Sequence, residues 1–307
     1  MPRDELPWDV LIIGGGPAGL SAALFLVRAC RRVIVFDAGR QRNRHSRRLN
    51  GFLTRDRTPP SEFLRLAREE LRTYETIEIH EQTAIVDALP LETGFEVTTQ
   101  HGARFRGRKL LFATGVEDIL PPIAGIDMFY GQSIWHCPYC DGYEHRDQRI
   151  AVYGSDQAAY RLALELRGWT RHLVLLTGGP CEIVEPERQR LSDNGVSICE
   201  DKIARLEGSA AGRLRRIVLS SGNTIEADAL FFPSEGSPAS KVLMGRLGVA
   251  LEQDARETAN YGKTGVKGVF LAGDDVRHVQ LAIVAAGEGA AAAFAINTEL
   301  IKEILRA

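Results

Sequence analysis

The run Val10-Leu11-Ile12-Ile13-Gly14-Gly15-Gly16-Pro17-Ala18-Gly19 decides the fold of this chain. Four consecutive apolar residues suit a strand of a parallel sheet covered on both faces. Glycines follow at G-x-G-x-x-G spacing. In that arrangement Gly14 allows a sharp turn, Gly16 lets a pyrophosphate approach the backbone, and Gly19 lets the next helix pack on the strand. Leu20, Leu24 and Val27 give that helix an apolar face. A second run, Val33-Ile34-Val35-Phe36, ends in Asp37, 23 residues after Gly14, where a carboxylate can hold a ribose hydroxyl. Strand, glycine turn, helix, strand and acid together predict a dinucleotide-binding βαβ unit.

Working outward, the arrangement recurs. Ile150 to Tyr153 reads as a strand, Gly154 as the turn, a helix runs through Leu162 and Leu166, and a strand spans Leu173 to Leu176; Gly154 to Thr177 is again 23 residues. Leu110-Leu111-Phe112-Ala113-Thr114-Gly115 is echoed by Leu230-Phe231-Phe232 and the segment Ser234 to Pro238. Near the end, Val269 to Asp274 reads as a buried strand and Gln280 onward as a long helix. Both need a sheet, and the first domain's is the natural host. The prediction is an α/β chain of two Rossmann-like, three-layer ββα domains, the second inserted into the first. The first dinucleotide-binding domain takes 1–118 and 240–307, and the inserted domain 119–239, with Pro121-Pro122 near the crossing. Ser61 is predicted to cap a helix with Phe63, Leu64, Ala67 and Leu71 on one face, and 77–99 to form short strands.

Composition narrows the function classes. The 307 residues are 44% hydrophobic, with a net charge of −2. Lys and Arg are scattered among acids, so no face for nucleic acid or anionic lipid is expected. The apolar opening is broken by Gly14 to Gly16, and Ala285 to Ala295 is interrupted by Glu288, short of the ~20 apolar residues a spanning helix needs. The expectation is a cytoplasmic chain without a membrane span. Of five cysteines only Cys137 and Cys140 are close-spaced; Cys30, Cys181 and Cys199 are read as packing residues.

Trp135-His136-Cys137-Pro138-Tyr139-Cys140-Asp141-Gly142 carries the chemistry. By itself a C-x-x-C pair fits a thioredoxin-type redox disulfide, half a zinc site, or composition alone. No second close pair of Cys or His completes a zinc site, so no metal is expected. Asp141-Gly142 is either a turn pair or a proton donor beside the thiols. His136 either lowers a thiol pKa or packs.

Taken in order, these motifs resemble the low-molecular-weight thioredoxin reductase family of FAD-dependent pyridine nucleotide–disulfide oxidoreductases over nearly the whole chain. The resemblance implies one FAD held by Gly14, Gly16, Ala18, Gly19, Asp37, Ala38, Asn50, Val86, Ala113, Thr114, Gly115, Gly273 and Asp274. Gln280-Leu281-Ala282 would match the family's Arg-Gln-Ala, imperfectly. It also implies catalytic Cys137, Cys140 and Asp141, with Cys140 facing the flavin and Cys137 exchanging with a thioredoxin-like protein or a small dithiol or disulfide, in a homodimer.

The departures fall in the second domain. Gly154-Ser155-Asp156 places a carboxylate where a pyrophosphate would sit, and Thr177-Gly178-Gly179-Pro180 offers neither the arginines suited to NADPH nor an acid suited to NAD. The expectation is loss of the NADPH site. Asn50 to Asp56 and Cys137 to Cys140 look most like branches resembling dithiol oxidases and diflavin-linked oxidoreductases, the latter with a second FAD. An NADPH-dependent thioredoxin-disulfide reductase and a non-catalytic redox sensor are the alternatives.

Overall fold

The computed structural model describes residues 8–234, 236–250, 261–275 and 279–306. They form two compact units: the first drawn from Met1–Arg42, Gly51–Glu117 and Gly236–Ala307, the second from Asn43–Asn50 and Asp118–Glu235. The short segment carrying Asn50 thus belongs with the second unit.

The first unit begins with β1 (Trp8–Ile13), α1 (Pro17–Arg28), β2 (Val33–Phe36), α2 (Pro60–Leu71), β3 (Ile77–His80), β4 (Ile85–Pro90), β5 (Phe95–Thr99), β6 (Arg104–Phe112) and β7 (Val116–Glu117). Strands β3, β2, β1 and β6 are parallel neighbours. The second unit contributes α3 (Ile126–Phe129), β8 (Ile134–Trp135), α4 (Pro138–Asp141), β9 (Arg149–Tyr153), α5 (Gln157–Glu165), β10 (His172–Leu176), α6 (Glu185–Asp193), β11 (Val196–Cys199), β12 (Ile203–Gly208), β13 (Leu214–Leu219), β14 (Thr224–Glu226) and β15 (Ala229–Phe231). The chain then returns to the first unit with β16 (Ser237–Pro238), α7 (Lys241–Arg246), β17 (Val269–Leu271) and α8 (Ala282–Arg306).

β6 makes this return workable because it changes partner along its length. Its first half pairs antiparallel with β5, and Leu110 to Phe112 pair parallel with β17. Alternate residues of the apolar runs go to opposite faces. Val10, Ile12 and Leu111 pack with Leu26, Ala292 and Ile296 of α1 and α8, whereas Leu11, Ile13 and Phe112 pack with Ala88, Val97 and Met244. Both faces are buried, which is why the sequence shows no polar alternation there.

The second unit has the same logic. Its parallel sheet runs β11-β10-β9-β15-β8. Val152 and Leu175 face Leu162 and Leu191 of α5 and α6, and Ala151 and Leu230 face Leu206 and Ile217 of the antiparallel sheet β12-β13-β14. Each layer therefore buries its apolar side against another, the ββα arrangement expected from sequence.

Three local expectations are corrected. Ser61 is not the cap of α2: Pro60 occupies the first turn and Pro59 the cap position, since proline there loses no helical N–H. α8 begins at Ala282 rather than Gln280. Cys30 is not packed; it is exposed, with φ 58° just past the end of α1. No described helix is long and apolar enough to cross a membrane.

The contact of α8 with α1 gives a stability test. A Cβ on Gly289 would stand 2.0 Å from the backbone oxygen of Ala18. Alanine improves helix propensity by ~1 kcal/mol, but overpacking against an immovable backbone costs about 1–3 kcal/mol. Gly289→Ala is therefore expected to lower the urea midpoint, with a net loss of up to about 2 kcal/mol. A midpoint at or above wild type would contradict this packing.

Candidate functional site

In the first unit the flagged residues gather at the carboxyl ends of the parallel strands β1, β2, β6 and β17, where ligands of open α/β sheets bind. Gly14 has φ +117°, and a Cβ there would lie 2.1 Å from the carbonyl oxygen of Ala113. Only glycine lets these two strand ends meet. Gly16 opens α1 differently: a Cβ would meet nothing within 4 Å, no side chain caps the helix, and its first turn carries no acid. An uncapped helix N-terminus with room in front of it suits the pyrophosphate of FAD. Ala18 and Gly19 are buried behind it.

Asp37 is buried at the end of β2. Its oxygens accept from Gly39 N at 2.8 Å, from Gln41 Nε2 at 2.9 Å each, and from Arg68. Ala38, beside it, is exposed. Val86 is also exposed and falls at the register shift between Ile85 and Asp87, where a bulge withdraws a peptide from the ladder. That is where a main-chain contact to a base would be free to form.

The Ala113-Thr114-Gly115 turn is clamped by Asp275, a residue absent from the sequence reading. This carboxyl is fully buried and accepts from the N–H groups of Thr114 and Gly115 at 3.0 Å each and from the Thr114 hydroxyl at 3.1 Å. The Thr114 hydroxyl also meets Ser240 Oγ at 2.7 Å. Burial pushes Asp275 up to about 7, resisted by the donors from Gly115 and Thr114 and reinforced by the charge of Asp274. The Asp274-Asp275 doublet was the available signal. Asp274 pairs with Arg42 at 3.4 Å, and Arg42 also donates to Gln280 Oε1 at 2.6 Å. Leu281 offers its carbonyl to Ala285 N at 2.9 Å, so Gln280 and Leu281 lie just ahead of α8.

In the second unit Cys137 and Cys140 form a disulfide with Cα atoms 5.3 Å apart. Cys137 caps the short helix α4, and Cys140 N donates to its Sγ at 3.2 Å. Asp141 follows at the end of this helix. Burial, and secondarily the charge of Glu144, raise its pKa to about 8. Asn50 Nδ2 donates to the Cys140 carbonyl at 2.8 Å and lies 3.4 Å from Glu144 Oε2. Its Oδ1 is buried without a partner among the described residues. His136 Nδ1 lies 3.8 Å from Asp118, whose carboxylate also accepts from Tyr130 and Ser234.

The second glycine turn differs from the first in one decisive contact. Asp156 caps α5 with its own side chain, accepting from Ala159 N at 2.9 Å. After β10, the Thr177 hydroxyl donates to Gly179 O at 2.5 Å, and Gly178 lies against the Tyr153 ring. Arg188 reaches this loop from α6, donating to Cys181 Sγ at 2.9 Å and pairing with Glu200. Local reading could not find it, because it comes from the following helix.

A flavin-type cradle in one unit and a two-residue-spaced disulfide in the other define the class. A profile of the family "pyridine nucleotide-disulphide oxidoreductase" matches residues 8–289. The chain belongs to that family, as a thioredoxin-reductase-like FAD-dependent disulfide oxidoreductase. Thioredoxin reductase tcpT of Claviceps purpurea is 31% identical, covering 96% of this chain and 95% of its own. The crystal structure of HlmI is 34% identical with a TM-score of 0.92, covering 100% of this chain and 96% of its own. A Bacillus anthracis protein assigned as thioredoxin reductase TrxB is 30% identical with a TM-score of 0.91, covering 96% and 99%.

The Asp141 environment makes a pH prediction. The folded pKa is raised from 3.8 to about 8, so the folded state binds this proton more tightly than the unfolded chain. The stability it lends is complete below pH ~4 and is lost as pH rises through about 8. Asp141→Asn should therefore be more stable than wild type at pH 9, with the gain shrinking towards pH 4 in thermal unfolding. Glu144→Gln should lower the titration point only in part, since burial is the larger cause. A pH-independent difference for Asp141→Asn would contradict the assignment.

Proposed function

We propose that the chain passes two electrons between a bound FAD and the Cys137–Cys140 disulfide, with no working pyridine-nucleotide site in its second unit. The single observation that carries the second half of this reading is the Asp156 cap. A nucleotide pyrophosphate needs the helix N-terminal amides that this carboxylate already engages, and it would meet a like charge. The first unit, by contrast, leaves the corresponding amides uncapped at Gly16.

Bound FAD supplies a two-electron acceptor or donor; the chain supplies its cradle and the thiols. Gly14, Gly16, Ala18, Gly19, Asp37, Ala38 and Val86 would hold the adenosine and pyrophosphate end. Ala113 to Gly115, Gly273, Asp274 and Gln280 to Ala282 would hold the ribityl and ring end, with Asn50 offering its buried Oδ1. Cys137 is the exchanging thiol in this reading. Its sulfur faces the Cys140 amide at the start of α4, which favours the thiolate once the disulfide opens. An external thiolate attacks Cys137 Sγ to form a mixed disulfide, the Cys137–Cys140 bond breaks with its electron pair leaving on Cys140, and the substrate's second thiolate then displaces Cys137 as its own disulfide closes. In this reading Asp141, whose pKa burial raises to about 8, gives the Cys140 sulfur a proton and takes it back as the pair moves on.

The partner in this reading is a thioredoxin-like protein, the substrate named by relatives such as tcpT, or a small dithiol. A second FAD in the second unit is the other reading the sequence raised. Asp156 opposes its pyrophosphate as well, so such a flavin would have to place its phosphates away from the α5 N-terminus.

Stopped-flow mixing with NADPH tests the main reading: flavin absorbance should persist, while anaerobic dithiothreitol bleaches it, and Cys140→Ser should abolish that bleaching. Rapid stoichiometric reduction by NADPH would overturn the loss of the nucleotide site. Flavin released by denaturation should amount to one FAD per chain; a ratio of two would establish the second-flavin reading.

A further inference from the structure

The redox pair sits on a helix too short to hold itself. α4 has four residues, Pro138–Asp141, and an isolated helix below ~12 residues is marginal in water. Its surroundings must fix it. Asn50 Nδ2 reaches the Cys140 carbonyl at 2.8 Å, Gly142 N donates to Pro138 O at 2.7 Å, and the Tyr139 ring stands edge-on to Trp169 with centroids 5.4 Å apart. A further side chain closes the whole loop. The indole Nε1 of Trp135, just before the pair, donates to Nε2 of His145, just beyond it, at 3.0 Å. An indole N–H can only donate, so Nε2 carries no proton, and the proton of the neutral ring lies on Nδ1, facing Gln148 Oε1 at 2.9 Å.

Trp135 is itself fixed: it ends β8, pairs with Phe231 of β15, and its carbonyl accepts from Phe232 N at 3.0 Å. The bond to His145 therefore ties the far end of the disulfide-bearing loop to the strand that begins it. Among the described residues the Trp135 indole has no other acceptor. We propose that His145 is a positioning residue of the redox pair: bonded to Trp135, it keeps the loop closed after the disulfide opens and holds the Cys137 and Cys140 sulfurs within reach of each other. The inference rests on the assignment of Cys137 and Cys140 as the redox pair. Disulfide and latch both favour the closed loop, so each strengthens the other by linkage. Losing the latch costs its full worth in the disulfide form, whereas in the dithiol form the loop relaxes and recovers part of it. Removing the bond therefore favours the dithiol.

The balance can be read on the holoprotein, equilibrated anaerobically in mixtures of reduced and oxidised dithiothreitol, with free Cys137 and Cys140 thiols alkylated and counted by peptide mass. Dithiothreitol closes to its own disulfide as Cys137–Cys140 takes up two electrons and two protons. His145→Phe keeps a ring but no acceptor and should move the balance about fivefold towards the dithiol. Trp135→Phe removes the donor and should move it as far, and the double variant no further than either single one. Glutamine carries its side-chain oxygen close to where Nε2 stands, and asparagine close to where Nδ1 stands. His145→Gln should therefore stay within about twofold of wild type, while His145→Asn follows His145→Phe.

A merely structural His145 would lower the unfolding midpoint without moving this balance. A His145→Phe balance equal to wild type or shifted towards the disulfide, or equal shifts in His145→Gln and His145→Asn, overturns the inference. If Trp135→Phe does not fold, the contrast between His145→Gln and His145→Asn decides. Should Cys137 and Cys140 of the wild type stay joined while dithiothreitol bleaches the flavin, the assignment of the redox pair fails, and this inference with it.

Discussion

An amide at the start of a helix must find an acceptor, and three helices of this chain answer that demand in three ways. At α1 the amides face open space in front of Gly16; at α5 they are met by Asp156; at α4 the Cys140 amide meets the Cys137 sulfur. The sequence around α1 and α5 is otherwise similar, with the same strand, turn and spacing. Among the differences between the two turns, the Asp156 carboxylate is worth ~1 kcal/mol as a helix cap and opposes an anion by like charge. The same backbone physics thus separates an uncapped helix start, a self-capped turn and a sulfur-capped one.

Carboxylates tell a parallel story. Asp37 and Asp274 face guanidinium groups. Desolvation raises half-buried Asp141 and buried Asp275, which have no cationic partner among the described residues, to about 8 and about 7. The two environments assign different work: the first pair holds charge in place, the second can hold or release a proton near neutrality. Asp275 is the more constrained of the second pair, since deprotonation strengthens its grip on Thr114 and Gly115 while exposing a charge to a dry site. Asp141 has no such donors to satisfy and is freer to exchange its proton.

Much of this was legible in the sequence because parallel strands buried on both faces read as apolar runs, and because glycine turns leave fixed spacing. The departure at Asp156 was legible for the same reason: a carboxylate in a small-residue position has few physical meanings. What could not be read was anything depending on chain segments meeting from afar. Arg42 looks like its four neighbours until Gln280 and Asp274 come beside it, and Arg188 reaches the loop after β10 only through α6. Asn50 read as part of the first domain, yet it hydrogen-bonds the Cys140 carbonyl within the second unit. Ser61 has the side chain of a cap, but consecutive prolines already start the helix ahead of it.

The insertion itself follows from β6. Its nine residues are longer than any other strand described, and its two halves have different neighbours on one side, β5 and then β17. Leu110 to Phe112 are buried on both faces, so their edge could not be left to solvent without exposing backbone N–H and C=O groups beside apolar side chains. Closing that edge with β17 brings Gly273 and Asp274 to the end of β6 as an obligatory consequence. Asp275 then lies where it can bind the Thr114 and Gly115 amides. Sheet completion and the meeting of Asp275 with the Ala113 to Gly115 turn are in this way one event, and that clamp cannot form until the last strand described has paired.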